Sequence, residues 1–85
     1  MEKRIVYRTR GTCSRAIEVE INDEGIVTDV AFSGGCSGNT QGVAALVRGM
    51  KAEDAVARLK GIKCGFRDTS CPDQLALAIE SMLGQ

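Results

Sequence analysis

The hydrophobic pattern of this sequence changes period near residue 35, and that change limits the folds open to it. Apolar and polar residues alternate over Ala16 to Ile21, which is the two-residue period of a half-buried strand. The apolar side of this strand consists of Ile17, Val19 and Ile21. After residue 40, apolar residues recur every three or four positions, as they do on one side of a helix. Strands followed by helices predict an α+β fold.

Three strands are predicted in the first half, and they cover Lys3 to Thr9, Ala16 to Ile21 and Ile26 to Phe32. The last of these is expected to face the core with Ile26, Val30 and Phe32. Between the second and third strands lies the turn Asn22-Asp23-Glu24-Gly25, in which Gly25 can adopt the positive φ of a hairpin loop. The strands are therefore expected to form an antiparallel three-stranded meander.

Three helices are predicted to follow and to pack on one face of this sheet. The first has apolar residues at helical spacing, namely Val43, Leu46, Val47 and Met50, and Gly49 is expected to end it. The second runs from about Ala52 to Lys60 with Val56 and Leu59 inward, and Gly61 closes it.

The third helix is predicted to begin within Thr69-Ser70-Cys71-Pro72-Asp73. Ser70 and Asp73 can form a pair similar to a capping box, and Pro72 suits a first helical turn. The core side of this helix is expected to consist of Leu75, Ile79 and Met82.

Length and charge narrow the functional classes. The 85 residues predict a single domain over 1–85, and a chain of this size is only marginally stable without a metal, a disulfide or a partner. Eleven Lys and Arg balance eleven Asp and Glu, which disfavours nucleic acid and anionic membranes as partners. No apolar run approaches the roughly 20 residues of a membrane span, and a cytoplasmic location is predicted.

The four cysteines are the residues most suited to chemistry, because the chain has no histidine. In a reducing compartment, cysteines serve more often as metal ligands or catalytic groups than as disulfides. Each lies at a junction between predicted elements, in the order Cys13, Cys36, Cys64 and Cys71. Cys36 and Cys71 are expected at helix N-termini, and Arg10 and Arg15 flank Cys13, so both settings favour the thiolate.

Three functions remain open for these cysteines. Four thiolates match a tetrahedral zinc site or an iron–sulfur cluster held by Cys13, Cys36, Cys64 and Cys71, although no C-x-x-C pair is present. Alternatively, Cys64 and Cys71 cycle between dithiol and disulfide. In a third interpretation the cysteines are structural parts of a regulatory or interaction domain. The glycine-rich segment Gly34-Gly35-Cys36-Ser37-Gly38-Asn39 matches no nucleotide-binding motif and is interpreted as a turn around Cys36.

The segment Thr69-Ser70-Cys71-Pro72-Asp73 resembles the signature of the TSCPD domain family. Further segments extend the likeness over essentially the whole chain, namely Gly11-Thr12-Cys13-Ser14-Arg15, Gly34-Gly35-Cys36-Ser37-Gly38-Asn39 and Gly61-Ile62-Lys63-Cys64-Gly65. This resemblance implies a relationship to a C-terminal region of adenosylcobalamin-dependent ribonucleotide reductases. Eighty-five residues cannot build the barrel that such an enzyme needs, so an accessory role beside the reductase is expected.

A second likeness, to iron–sulfur cluster scaffolds of the IscU/NifU type, concerns the order of Cys13, Cys36 and Cys71 along the chain. It implies a similar fold and maps the three scaffold cysteines onto these positions. Arg15 stands where such scaffolds carry an aspartate ligand, and Ser70 replaces the histidine before the last cysteine. A protein partner is expected, and the open edge of the meander would permit a homodimer.

Overall fold

The computed structural model describes residues 3–11, 14–34, 37–63, 65 and 67–84, and of residues 37–39 the backbone alone. Within this part of the chain, no helix has the length and apolar character needed to cross a bilayer. The elements follow the predicted order of strands and then helices. The α+β prediction is confirmed.

The sheet is a three-stranded antiparallel meander with the order β1-β2-β3. Its strands are β1 (Lys3–Arg8), β2 (Ser14–Ile21) and β3 (Val27–Gly34). Ile17, Val19 and Ile21 of β2 are all buried, which confirms the alternation in the sequence. Gly25 has a φ of 79° in the turn that leads to β3, as the hairpin prediction requires.

The predicted inner side of β3 is wrong at its first residue. Val27, not Ile26, is fully buried, whereas Val30 is buried and Phe32 is partly buried as predicted. The register passes from Glu20 opposite Asp29 to Ile21 opposite Val27, so Thr28 is an additional residue that forms a bulge. A bulge shifts the alternation by one position, and for this reason the period-two pattern fails here.

Three helices follow the sheet: α1 (Ser37–Val47), α2 (Ala52–Leu59) and α3 (Cys71–Leu83). Helix α1 packs against β3, α3 packs against β1 and β2, and α2 packs against α3. Gly49 and Gly61, with φ of 90° and 88°, follow α1 and α2 as predicted. Leu46 was expected on the apolar side of α1, yet it is 77% exposed. Val47 is buried and Val43 and Met50 are partly buried against the core, as predicted. Thr40 and Ala44, which share a helical face with Val47, complete the inner side in place of Leu46.

Helix α3 lies at the centre of the core. Leu75, Ile79 and Met82 are buried, as the spacing predicts, and they belong to one cluster with Ile17 and Val19 of the sheet. Helix α3 also packs along α2. Its first turn is thereby held against the loops where the predicted site residues occur.

The opposite face of the sheet is polar and carries a charged group around Arg4. The Arg4 guanidinium lies 2.8 Å from Glu18 and 3.2 Å from Glu20. Hydrogen bonds to Glu18 and then Glu20 raise the pKa of Arg4 above its ordinary value. This face has no other layer packed on it among the described residues.

Candidate functional site

A group of polar side chains, all buried except the partly buried Thr69, surrounds the first turn of α3, and we call it the polar cluster. Its members come from the first residue of β2 and from the start of α3, and they are Ser14, Thr69, Ser70, Cys71, Asp73 and Gln74. Buried polar atoms are costly unless they are hydrogen-bonded. No described buried side-chain nitrogen or oxygen lacks a partner, so the cluster is a satisfied network.

Ser70 begins α3 as its N-cap. Its hydroxyl accepts the Asp73 N–H at 3.1 Å and donates to the Ile62 carbonyl at 2.7 Å. The first bond satisfies one of the N–H groups that every helix start leaves without a partner, and the second attaches the α2–α3 loop. Pro72 lies in the first turn, as predicted.

The Asp73 carboxylate does not complete a capping box with Ser70. One oxygen accepts the Gly61 N–H at 2.7 Å, and the other accepts the Thr69 hydroxyl. Asp73 therefore joins the end of α2 to the start of α3. The predicted pairing is confirmed only for the Ser70 hydroxyl and the Asp73 N–H.

Gln74 extends the network to the β1–β2 loop. Its side-chain oxygen accepts the Arg10 N–H at 3.1 Å, and its nitrogen donates to the Thr69 hydroxyl at 2.9 Å. Sequence reasoning missed Gln74 as a site residue. The signal was its place directly after the TSCPD segment and directly before the buried Leu75, where a polar side chain needs an internal partner.

Cys71 is the one predicted site residue that the structure describes. It is 9% exposed and carries a free thiol. Its sulfur lies 3.2 Å from the Ser14 hydroxyl oxygen, and either atom can donate. Ser14 was not singled out from the sequence, because its partner lies 57 positions away.

The other predicted ligands, Cys13, Cys36 and Cys64, lie outside the described residues. Over residues 3–11, 14–34, 37–63, 65 and 67–84, no three cysteine, aspartate or glutamate side chains are grouped to hold a metal ion. The four-cysteine site and the Cys64–Cys71 pair therefore stay predictions.

The described neighbours of these cysteines nevertheless belong to one contact network. Ser14, which follows Cys13, contacts Cys71 and pairs with Gly34, two residues before Cys36. Ile62, two residues before Cys64, accepts the hydroxyl of Ser70. The described residues nearest to Cys13, Cys36 and Cys64 are thus linked to the start of α3.

Exposed cations surround the same loops, namely Arg8, Arg10, Arg15, Lys63 and Arg67. Arg10 is attached through its N–H to Gln74, and the Arg67 guanidinium lies 3.5 Å from the Gly11 carbonyl oxygen. Arg15 lies at an irregularity of the β2–β3 register, between Ser14 and Ala16. This end of the molecule is therefore suited to an anionic group.

The TSCPD domain family model matches residues 2–83, almost the entire chain. The chain belongs to the TSCPD domain family. The five letters of the family name coincide with Thr69–Asp73, and in this TSCPD domain four of these residues make the polar contacts described above. No curated protein and no solved structure matches the chain.

Proposed function

We propose that this TSCPD domain binds zinc or an iron–sulfur cluster through Cys13, Cys36, Cys64 and Cys71, and that it acts as an accessory to ribonucleotide reduction. The observation that carries this proposal is the contact network around α3. Described residues within two positions of each cysteine are linked there, namely Ser14, Gly34, Ile62 and Ser70. All-thiolate sets are suited to both zinc and iron–sulfur clusters.

The charge around the loops supports an anionic centre. Four thiolates outweigh the positive charge of one Zn²⁺ ion, so the bound site would be anionic. Arg10, Arg15, Lys63 and Arg67 are exposed in these loops and would offset that charge. The Ser14 hydroxyl would donate to the Cys71 sulfur, the kind of outer contact that tunes metal–thiolate sites.

Bound zinc would add stability to a small fold, whereas a cluster would add electron transfer. The accessory role is supported by family membership alone. The described elements are one three-stranded sheet and three helices, so a reductase would supply the nucleotide site. This domain would deliver electrons or stability to it.

The metal proposal is tested on protein purified without oxygen, by elemental analysis and the ultraviolet–visible spectrum. We expect either about one zinc per chain with no visible absorption, or iron and sulfide with a visible cluster band. Each single Cys→Ser variant should lose at least half of the bound metal. Ser81→Ala, a change at the other end of α3, should retain all of it because the Ser81 hydroxyl donates within its own helix, to the Ala78 carbonyl.

Metal-free wild-type protein would overturn the metal proposal. Alkylation and mass spectrometry on the same samples across a redox series would then reveal the alternative, a reversible Cys64–Cys71 bond. The accessory role has its own assay: reductase turnover, measured with the adenosylcobalamin enzyme of the same organism, should rise with wild type and not with Cys71→Ser. Equal turnover with both proteins, or no rise with either, would overturn that role and leave the metal result standing.

A further inference from the structure

The outer edge of β3 is closed in its first half by the residues that follow α1. The Val27 N–H donates to the Met50 carbonyl at 2.9 Å, and the Val27 carbonyl accepts the Gly49 N–H at 2.8 Å. Farther along the strand, the Val30 carbonyl accepts an N–H of the Arg48 guanidinium at 3.0 Å. The backbone groups of this first half are therefore not available to another strand.

The next outward residue of β3 is Phe32, and its edge is open. Val30 directs its carbonyl outward to Arg48, and outward residues alternate along an antiparallel strand. The N–H and C=O of Phe32 therefore also point away from the sheet. Among the described residues, none donates to or accepts from these two groups. Such an edge is a template for pairing with another extended chain.

Helix α1 forms a second wall beside the open part of the edge. Gln41, Ala44 and Ala45 of α1 and Phe32 of β3 line one groove of about 630 Å³. This volume is in the range of ligand-binding clefts, roughly 300–1,000 Å³. Extended peptides bind at sheet edges by strand addition, in which main-chain hydrogen bonds give affinity and side-chain pockets give specificity. The groove combines these two elements.

Arg48 gives the groove its charge. It carries the only formal charge among the nine described residues that line the groove, and its side chain is about half exposed. Its guanidinium donates to the Val30 carbonyl and lies 3.5 Å from the Asp29 carboxylate. A guanidinium has five N–H donors, so further donors are available to a carboxylate that enters the groove.

The bond from Arg48 to Val30 also determines where an added strand ends. In antiparallel pairing, one peptide residue would exchange two hydrogen bonds with Phe32, and the N–H two residues later would reach the Val30 carbonyl. Arg48 already donates to that carbonyl. A peptide that ends one residue after the pair with Phe32 avoids this conflict and places its terminal carboxylate beside the guanidinium. A parallel peptide would instead bring its cationic amino terminus to Arg48.

We propose that the groove between β3 and α1 binds the carboxy-terminal segment of a partner protein as an added antiparallel strand, with its terminal carboxylate at Arg48. The peptide residue opposite Phe32 would lie on the face of the sheet where α1 packs, because paired residues share a face. Ala44 and Ala45 leave room there for a branched apolar side chain. No described lining residue is a cysteine, so failure of this proposal would leave the metal proposal standing, and the reverse.

A library of random heptapeptides displayed with carboxylate termini tests this proposal on the full chain. We expect enriched peptides, and the synthetic carboxylates should bind more tightly than their carboxy-terminal amides in fluorescence anisotropy, by about tenfold. Arg48→Gln should weaken binding of the carboxylates by about the same factor. Arg58→Gln, at an exposed cation of α2, is the matched control and should leave the affinity unchanged.

A second variant and an exchange measurement locate the peptide. Ala45→Trp fills the groove from an exposed position of α1 and should abolish binding, whereas Ala57→Trp, at an exposed position of α2, should not. Bound peptide should slow deuterium exchange at the outward Phe32 N–H and leave the Ala31 N–H, which faces β2, unchanged. A folding defect would not separate these neighbouring amides.

Three results would overturn the proposal. The first is a library without enrichment, and the second is a set of peptides that bind Ala45→Trp as tightly as wild type. The third is protection of the Phe32 N–H that rises with protein concentration alone, since a second copy would then occupy the groove. Amides that bind as tightly as carboxylates would overturn the assignment of Arg48 to a chain end.

Discussion

The two halves of helix α3 are buried by different kinds of contact. Its first turn is held by hydrogen bonds of Ser70 and Asp73 with the α2–α3 loop and of Gln74 with the β1–β2 loop. Its second half is held by Ile79 and Met82, which pack into the apolar core. Apolar contact tolerates small shifts in position, whereas hydrogen bonds demand defined distances and angles. The helix is therefore anchored for stability at one end and for position at the other.

The two kinds of contact contribute differently to this small domain: apolar packing stabilises the fold, and hydrogen bonds fix the positions of the loops. Apolar burial supplies most of the folding free energy, and its size follows the area removed from water. The polar cluster contributes less net free energy, since its bonds replace bonds to water. It does determine where Ser14, Gly61 and Ile62 lie, and these residues are within three positions of Cys13 or Cys64 in the sequence.

Ile79→Ala should give the largest loss of stability. Ile79 is fully buried, and removing such a side chain from a core costs about 2–5 kcal/mol in the free energy of unfolding. Leu83→Ala is the matched control on the same helix, because Leu83 is 45% exposed and should cost well under half as much. Urea denaturation followed by circular dichroism measures both. Equal losses in the two variants would refute the apolar anchor.

Asp73→Ala should rank second, with a loss of about 1–3 kcal/mol, because it leaves the Gly61 N–H without a partner. Asp73→Asn keeps one acceptor oxygen and should recover part of that loss. The Gly61 amide should exchange with deuterium faster in Asp73→Ala than in Ile79→Ala at matched stability. If Gly61 exchanged equally in both, the polar cluster would not hold the loop.

Ser70→Ala should cost about 1 kcal/mol, a value typical of a lost N-cap. Because Ser70 also donates to the Ile62 carbonyl, Ser70→Asp provides the sharper comparison. Aspartate can accept the Asp73 N–H but cannot donate to Ile62, so it should restore the cap and not the loop contact. Nuclear magnetic resonance shifts of Ile62 and Lys63 would then move in both variants. Unmoved shifts in both would refute the contact to the loop.

The elements of the fold could be predicted because each depends on neighbours close in sequence. Alternation located β2, and helical spacing located the buried side of α3. The exceptions have local causes that a period cannot show. The bulge at Thr28 changes which residue at the start of β3 faces the core. On α1, the small residue Ala44 is buried and Leu46 is exposed.

The polar cluster was predictable only where its bonds are local. The Ser70 cap joins residues 3 positions apart and was predicted. Asp73 was expected to bond within its own turn, but its carboxylate reaches Gly61, 12 positions away, and Gln74 reaches Arg10, 64 positions away. Those partners are brought close by the packing of α3 against α2 and the sheet, which no local pattern encodes.

The smallest effect is expected where a polar contact between α2 and α3 lies on the surface. Lys60, the residue before Gly61, forms an ion pair with Glu80 at 2.9 Å, and the two side chains are 53% and 37% exposed. Exposed pairs of this kind contribute about 0–1 kcal/mol, because water and salt already solvate both charges.

Lys60→Ala should therefore cost less than about 0.5 kcal/mol, and that cost should shrink further in 0.5 M salt. A double-mutant cycle with Glu80→Ala in urea denaturation measures the coupling. Residues 60 and 61 are neighbours, but the side-chain pair of Lys60 with Glu80 is exposed, whereas the bond from the Gly61 N–H to Asp73 is partly buried. A Lys60–Glu80 coupling as large as the loss of stability in Asp73→Ala would mean that burial does not determine the strength of the polar contacts of α3. The two ends of α3 would then differ only in the geometry of their contacts.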